Sequence, residues 1–121
     1  MNSRVYDLAE KKVQKLWGWE HWLTNTSDYC AKILTLVPGY QCSLHYHRVK
    51  RETFLVLDGM VQLEVQSPED SVILGPGMKY TLEPVRAHRF QAFGTQLAQI
   101  LEVSTHHEDD DTVRLEDSRK I

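Results

Sequence analysis

Hydrophobic residues in this chain recur in short runs that Pro, Gly, Asp or Ser cut off before a helical period can establish itself. The runs AKILTLV (31–37), TFLVLDG (53–59), MVQLEV (60–65), SVILG (71–75), MKYTLEP (78–84), HRFQAFG (88–94) and QLAQILEV (96–103) are rich in β-branched and aromatic residues and read as strands. Regular punctuation of this kind predicts an all-β barrel or sandwich. Asp58-Gly59 supplies turn chemistry, and Val61, Leu63 and Val65 alternate with Gln62 and Glu64, which predicts a hairpin across that turn. Val5, Leu8, Ala9, Lys12, Val13 and Leu16 have a loose helical spacing and mark the one candidate helix. No internal repeat is visible. The ending HHEDDDTVRLEDSRKI (106–121) is polar and acidic, and taken by itself reads as a frayed terminus.

Composition narrows the setting. A chain of 121 residues, 41% apolar and 26% charged, is long enough for one core and short for two, so a single domain over 1–121 is expected. A net charge of −3 offers no concentrated basic surface for nucleic acid. No long apolar span or signal-peptide pattern occurs, which predicts a soluble cytoplasmic protein with no membrane partner. Cys30 and Cys42 lack CxxC spacing and are too few for a disulfide framework; both are expected as small buried residues.

The chemistry concentrates between Gly39 and Gly59. On a strand, alternate residues share a face, so His45 and His47 project together, and Glu52 follows five residues later. His88 lies further along, where a strand could return across the barrel. Three imidazoles and one carboxylate suit one divalent metal ion, zinc first, with iron, manganese or nickel as alternatives, and leave room for water or substrate. The competing reading makes these histidines plain polar residues lining a barrel.

Gly39, His45-Tyr46-His47, Glu52 and Gly59 fit the first motif of the cupins, and GMKYTLEPVRAH (77–88) resembles the second around Gly77, Pro84 and His88, with Val85 and Arg86 where the usual Pro-x-Gly would stand. The resemblance implies a small jelly-roll β-barrel, a double-stranded β-helix, with the metal in its mouth. KLWGWE (15–20), YCAKILTLVPG (29–39), CSLHYHRVKRETFLVLDG (42–59) and ILEVSTHHEDDDTVRLEDS (100–118) resemble, in order, the isomerase domain of type II mannose-6-phosphate isomerases, which is often fused to a GDP-mannose pyrophosphorylase. On that resemblance the cupin domain divides into an N-terminal segment (about 1–20), the barrel (about 28–104) and an acidic tail (105–121) that folds back over the mouth. His45 stands where that family usually has glutamine, the aromatic-Gly-Arg ending is reduced to SRKI, and no pyrophosphorylase stretch is present in these residues.

The resemblance implies a metal-dependent aldose–ketose isomerase acting on mannose and fructose, or their 6-phosphates, through a cis-enediol. Lys32 and Glu102 match the family pattern and are the candidates for base and proton handling; apolar neighbours would draw either pKa towards neutrality. The bland alternative turns both outward to solvent. Arg114 is the candidate contact for a sugar hydroxyl or phosphate, its planar fork suiting oxyanions, against an exposed arginine that binds nothing. Two alternatives to the isomerase stand beside it: a non-catalytic carbohydrate-binding or regulatory cupin, and an iron-dependent dioxygenase. Trp17, Trp19 and Trp22 fit a core or subunit interface better than a sugar-stacking platform, with Trp17-Gly18 as a structural brace. His106 and His107 are adjacent, so on a strand they face opposite ways and do not share an ion. Exposed sheet edges and the tryptophan-rich segment predict a homodimer.

Overall fold

The computed structural model describes residues 11–121. In chain order the strands are β1 (Lys12–Lys15), β2 (Gly18–Asn25), β3 (Cys30–Leu36), β4 (Tyr40–Gln41), β5 (Leu44–His47), β6 (Glu52–Asp58), β7 (Val61–Val65), β8 (Ser67–Leu74), β9 (Lys79–Leu82), β10 (His88–Ala92), β11 (Ala98–Ser104), β12 (Thr112–Glu116) and β13 (Arg119–Lys120). Among the described residues there is no α-helix, and a single 3-10 turn spans Asp109–Asp111. No described helix is long and apolar enough to cross a membrane.

The strands form two antiparallel sheets, one ordered β1-β2-β3-β11-β6-β9, the other β12-β5-β10-β4-β13 with β7 beside β10 and β8 beyond β7. Two sheets face to face make a jelly roll, and their pairings do not run round as one closed barrel. Alternation explains why they stack. Phe54 and Val56 on β6 and Val61, Leu63 and Val65 on β7 are buried, while their neighbours in sequence are more exposed. With Leu34, Leu36, Phe90 and Ile100 they fill the core, each fully buried large side chain contributing roughly 2 kcal/mol of transfer free energy. Trp17 closes one flank by packing edge-on against Phe90, 5.0 Å between ring centroids. Gly18 beside it has φ +148, and a Cβ there would lie 1.8 Å from the Thr35 carbonyl oxygen. The Trp17-Gly18 pair is therefore a brace that lets β2 lie against β3.

Three expectations are corrected. The helical spacing fails: Lys12–Lys15 alternates between exposed and half-buried with a period of two, as a strand does, and β2 follows it. Val5, Leu8 and Ala9 lie outside the described residues. The hairpin at Asp58-Gly59 is also absent, because β6 pairs with β11 and β9 whereas β7 pairs with β10 and β8. Gly59 has the left-handed φ of +74 that its turn chemistry favours, but the turn carries the chain from one sheet to the other. The true hairpin is β7–β8, turning at Gln66 with φ 68. Finally, the tail is not frayed. β12 adds to β5 and β13 to β4, so the acidic ending folds back on the barrel mouth as the resemblance implied. Buried Arg89 fastens it, donating to Glu116 Oε1 at 2.8 Å and to the Asp117 carbonyl at 3.2 Å.

Candidate metal centre and its cavity

Strand pairing gathers the histidines. His45 on β5 lies opposite His88 on β10, and His47 is two residues along on the same face. Their ring centroids are 4.6 Å (His45–His88), 5.1 Å (His45–His47) and 5.9 Å (His47–His88) apart. One nitrogen from each falls within 4.8 Å of the others, so the three could hold a metal ion. Their outer nitrogens are already engaged: His45 Nδ1 lies 2.9 Å from the Ser43 carbonyl, His88 Nδ1 2.8 Å from the Arg86 carbonyl, and His47 Nδ1 3.2 Å from Thr112 Oγ1 on β12. A carbonyl only accepts, so Nδ1–H of His45 and His88 donates and Nε2 faces the centre, the arrangement that orients metal-binding imidazoles.

Glu52 joins them from β6. Its Oε2 is 3.0 Å from His47 Nε2 and its Oε1 3.4 Å from His88 Nε2. Yet Glu52 Oε2 and His88 Nε2 are both buried with no hydrogen bond of acceptable geometry, so the 3.0 Å approach is proximity and not a bond. Buried polar atoms left unpaired are costly, and a divalent cation bound by the three imidazoles is a group whose chemistry could satisfy them. Burial, then the neighbouring His88 and His47, lower the His45 pKa to about 3. Burial opposes ionisation of Glu52, but His47, His88 and Lys50 outweigh it and hold the carboxyl well below its usual range. This donor set of nitrogens and one carboxylate fits zinc and its first-row neighbours.

The missing Pro-x-Gly of the second motif has a structural consequence. Val85 adopts φ 66, a left-handed conformation unfavourable for a β-branched residue, and its N–H donates to the His47 carbonyl at 2.7 Å. That turn carries the Arg86 carbonyl onto His88 Nδ1. Relief of the left-handed conformation, about 1–2 kcal/mol, exceeds the entropic penalty of glycine, about 0.5–1 kcal/mol. Val85→Gly is thus expected to stabilise the protein by about 1 kcal/mol, read as a shifted urea midpoint at unchanged slope; a lower midpoint refutes the strain.

A cavity of about 420 Å³ opens over the centre, lined by both sheets and the tail. Lys32 and Glu102 both line it and are only 2% and 5% exposed, which rules out the outward-facing alternative. Their neighbours are charged, however, where apolar ones were expected. Lys32 Nζ lies 3.7 Å from Glu20 Oε1 and 4.0 Å from the centre of the Trp22 ring, so Trp22 serves as a cation platform there. Glu102 pairs with Lys50, Nζ to Oε2 at 2.9 Å. Arg114, opposite His45 on β12, reaches the rim with its side chain 59% exposed and its Nη1 3.9 Å from Asp117 Oδ1. Cys30 and Cys42 are buried free thiols, as expected.

Lys50 was missed in the sequence. Its ammonium is buried, 3.5 Å from Glu52 Oε2 as well as bonded to Glu102. Burial works against its charge, but Glu102 and Glu52 outweigh it and raise its pKa. The acidic tail holds its turn: Asp111 accepts the backbone N–H groups of Val49 and Lys50, each at 2.9 Å.

A two-sheet jelly roll presenting a histidine cluster and a glutamate at one end is a cupin, and solved cupins superpose on it. KdgF from Halomonas sp. matches with a TM-score of 0.75 at 15% identity, covering 91% of this chain and 98% of that one. Bacillus subtilis oxalate decarboxylase, a protein with Mn(II) centres, matches with a TM-score of 0.77 at 17% identity over 91% of this chain and 31% of its own. Within the cupins the chain belongs to the mannose-6-phosphate isomerase C-terminal family, whose model matches residues 2–117. It is also 35% identical over 114 aligned residues to the D-lyxose/D-mannose isomerase of Thermosediminibacter oceani. That match covers 74% of this chain and 62% of the relative, so the chain spans less than two thirds of the relative's length.

Proposed function

We propose that the protein is a metal-dependent aldose–ketose isomerase acting on mannose and fructose or their 6-phosphates. The observation that carries this reading is the buried Lys50–Glu102 pair, which opens on the same cavity as the three imidazoles and Glu52. The family and the D-lyxose/D-mannose isomerase relative support it. His45, His47, His88 and Glu52 hold one divalent ion, zinc by choice of donors. When bound, such an ion supplies Lewis-acid polarisation of a sugar carbonyl.

The remaining chemistry falls to the chain itself. Glu102 removes the C2 proton of the aldose, and the electron pair forms the C1–C2 double bond of a cis-enediol while the carbonyl oxygen takes a proton from the Lys50 ammonium. Return of the Glu102 proton to C1, with the O2 proton passing to Lys50, gives the ketose and restores both groups. Lys32 on the cavity wall and Arg114 at the rim bind hydroxyl or phosphate oxygens, and the cavity walls keep bulk water from the enediol.

The test is proton NMR of zinc-loaded protein in deuterated buffer with mannose, lyxose and mannose 6-phosphate. Loss of the C2 proton signal with formation of the ketose is the expected result for at least one. Exchange with none of them overturns the isomerase and leaves a carbohydrate-binding cupin.

A further inference from the structure

His107 is part of neither the imidazole cluster nor the sequence match to the metal motif, yet it reaches the Lys50–Glu102 pair. It follows β11 in the loop before the Asp109–Asp111 turn, and its Nδ1 is 3.1 Å from Lys50 Nζ. Its Nε2 is 2.8 Å from Asp109 Oδ1, whose side chain is 92% exposed. A carboxylate accepts, so Nε2 carries the hydrogen and Nδ1 presents a lone pair to the ammonium. Burial, then Lys32 and Lys50, lower the His107 pKa to about 4, in keeping with a neutral ring. The loop is pinned independently of the ring: Asn25 on β2 accepts the His107 N–H at 3.0 Å and donates to its carbonyl at 3.1 Å. Trp22 meets the imidazole edge-on at 5.1 Å.

An ammonium has three N–H groups on a flexible four-carbon stem. Around Lys50 there are two hydrogen-bond acceptors, Glu102 Oε2 at 2.9 Å and His107 Nδ1 at 3.1 Å, with Glu52 Oε2 within ion-pair range at 3.5 Å. We propose that His107 is a positioning residue, seating the Lys50 ammonium between the two carboxylates by accepting an N–H that Glu102 does not take, with Asp109 setting the tautomer that allows it. This deepens the isomerase reading and rests on it for its effect on turnover.

Two substitutions separate the acceptor from the shape. His107→Leu keeps an apolar body against Trp22 and removes the acceptor, whereas His107→Asn places Oδ1 near the Nδ1 position; the backbone clamp by Asn25 survives both. His107→Leu is expected to lower kcat by on the order of 100-fold through misplacement of the lysine, with KM nearly unchanged, and His107→Asn to recover most of the loss. An asparagine variant as slow as the leucine variant, or a leucine variant as fast as the parent, overturns the proposal. A second readout needs no turnover. Nitrogen-15 NMR of the zinc-loaded parent should show His107 as the neutral Nε2–H tautomer and a slowly exchanging Lys50 ammonium signal that His107→Leu abolishes. An Nδ1–H ring or an unchanged ammonium signal in the leucine variant overturns the seat itself. If both signals are as expected while the parent turns over no sugar, the isomerase reading fails and the seat stands.

Discussion

Replacing His88 by alanine is expected to abolish the metal binding proposed for the imidazole cluster and, with it, the proposed isomerisation. His88 is 1% exposed, and among the described residues its Nε2 is one of two buried side-chain polar atoms left without a partner. Losing even an outer residue that orients a ligand lowers metal affinity roughly 10–100-fold, so loss of an imidazole that faces the ion should exceed about 100-fold. Elemental analysis after dialysis against a weak chelator should find about one zinc per parent chain and none in His88→Ala. Thermal melts supply the control. A ligand that binds only the folded state raises its stability, so strong chelators should lower the melting temperature of the parent and leave that of His88→Ala where it was. The variant itself should remain folded, because it loses one ring beside Phe54, whose centroid is 6.0 Å away, a deletion of roughly 2–5 kcal/mol. A His88→Ala protein that keeps its full complement of zinc would falsify the centre.

The grouping of the three histidines was legible because its signal is local. His45 and His47 owe their common face to the two-residue period of a strand, which any register preserves, and the spacings to Glu52 and His88 matched a motif whose geometry is fixed by the fold. The strands from AKILTLV to QLAQILEV were legible for the same reason. What failed depended on partners distant in the chain. Asp58-Gly59 announces a turn but says nothing about which strands flank it in space, and those turned out to be β11 and β9 on one side and β10 and β8 on the other. The start of the chain misled because its helical spacing drew on widely separated apolar positions, while Lys12–Lys15 alternates with a strand period. Lys32 and Glu102 sit in apolar stretches, and only the folded chain brings Glu20 to one and Lys50 to the other. Lys50 itself was hidden in a polar turn, VKR, whose burial comes from Asp111 sixty-one residues on. The tail became legible only by resemblance; its acidic composition hides a strand that pairs with β5.

Lys50 and Glu102 should behave as one unit in turnover and as two in stability. Removing either is expected to slow C2 proton exchange by about 10²–10⁴-fold, the usual worth of a positioned acid or base, and the double variant should be little slower than the singles because residues that act together do not add. Stability separates them. Truncating one partner of a buried ion pair costs about 3–5 kcal/mol, since the other charge is left uncompensated. Lys50→Met strands Glu102 at a distance where it had a 2.9 Å partner and also withdraws the cation 3.5 Å from Glu52, so it should fall at the upper end of that range. Glu102→Gln leaves Lys50 with Glu52 and His107, and an amide oxygen can still accept from the ammonium, so its loss should be smaller. In the double variant neither a stranded carboxylate at position 102 nor an ammonium remains, and stability should recover part of what Lys50→Met lost. Urea unfolding of the zinc-loaded proteins gives the four free energies, and their cycle gives the coupling. If Glu102→Gln binds zinc normally and exchanges the C2 proton at the parental rate, Glu102 is not the base; if Lys50→Met and the double variant are equally stable, the buried pair is not the source of the Lys50→Met loss.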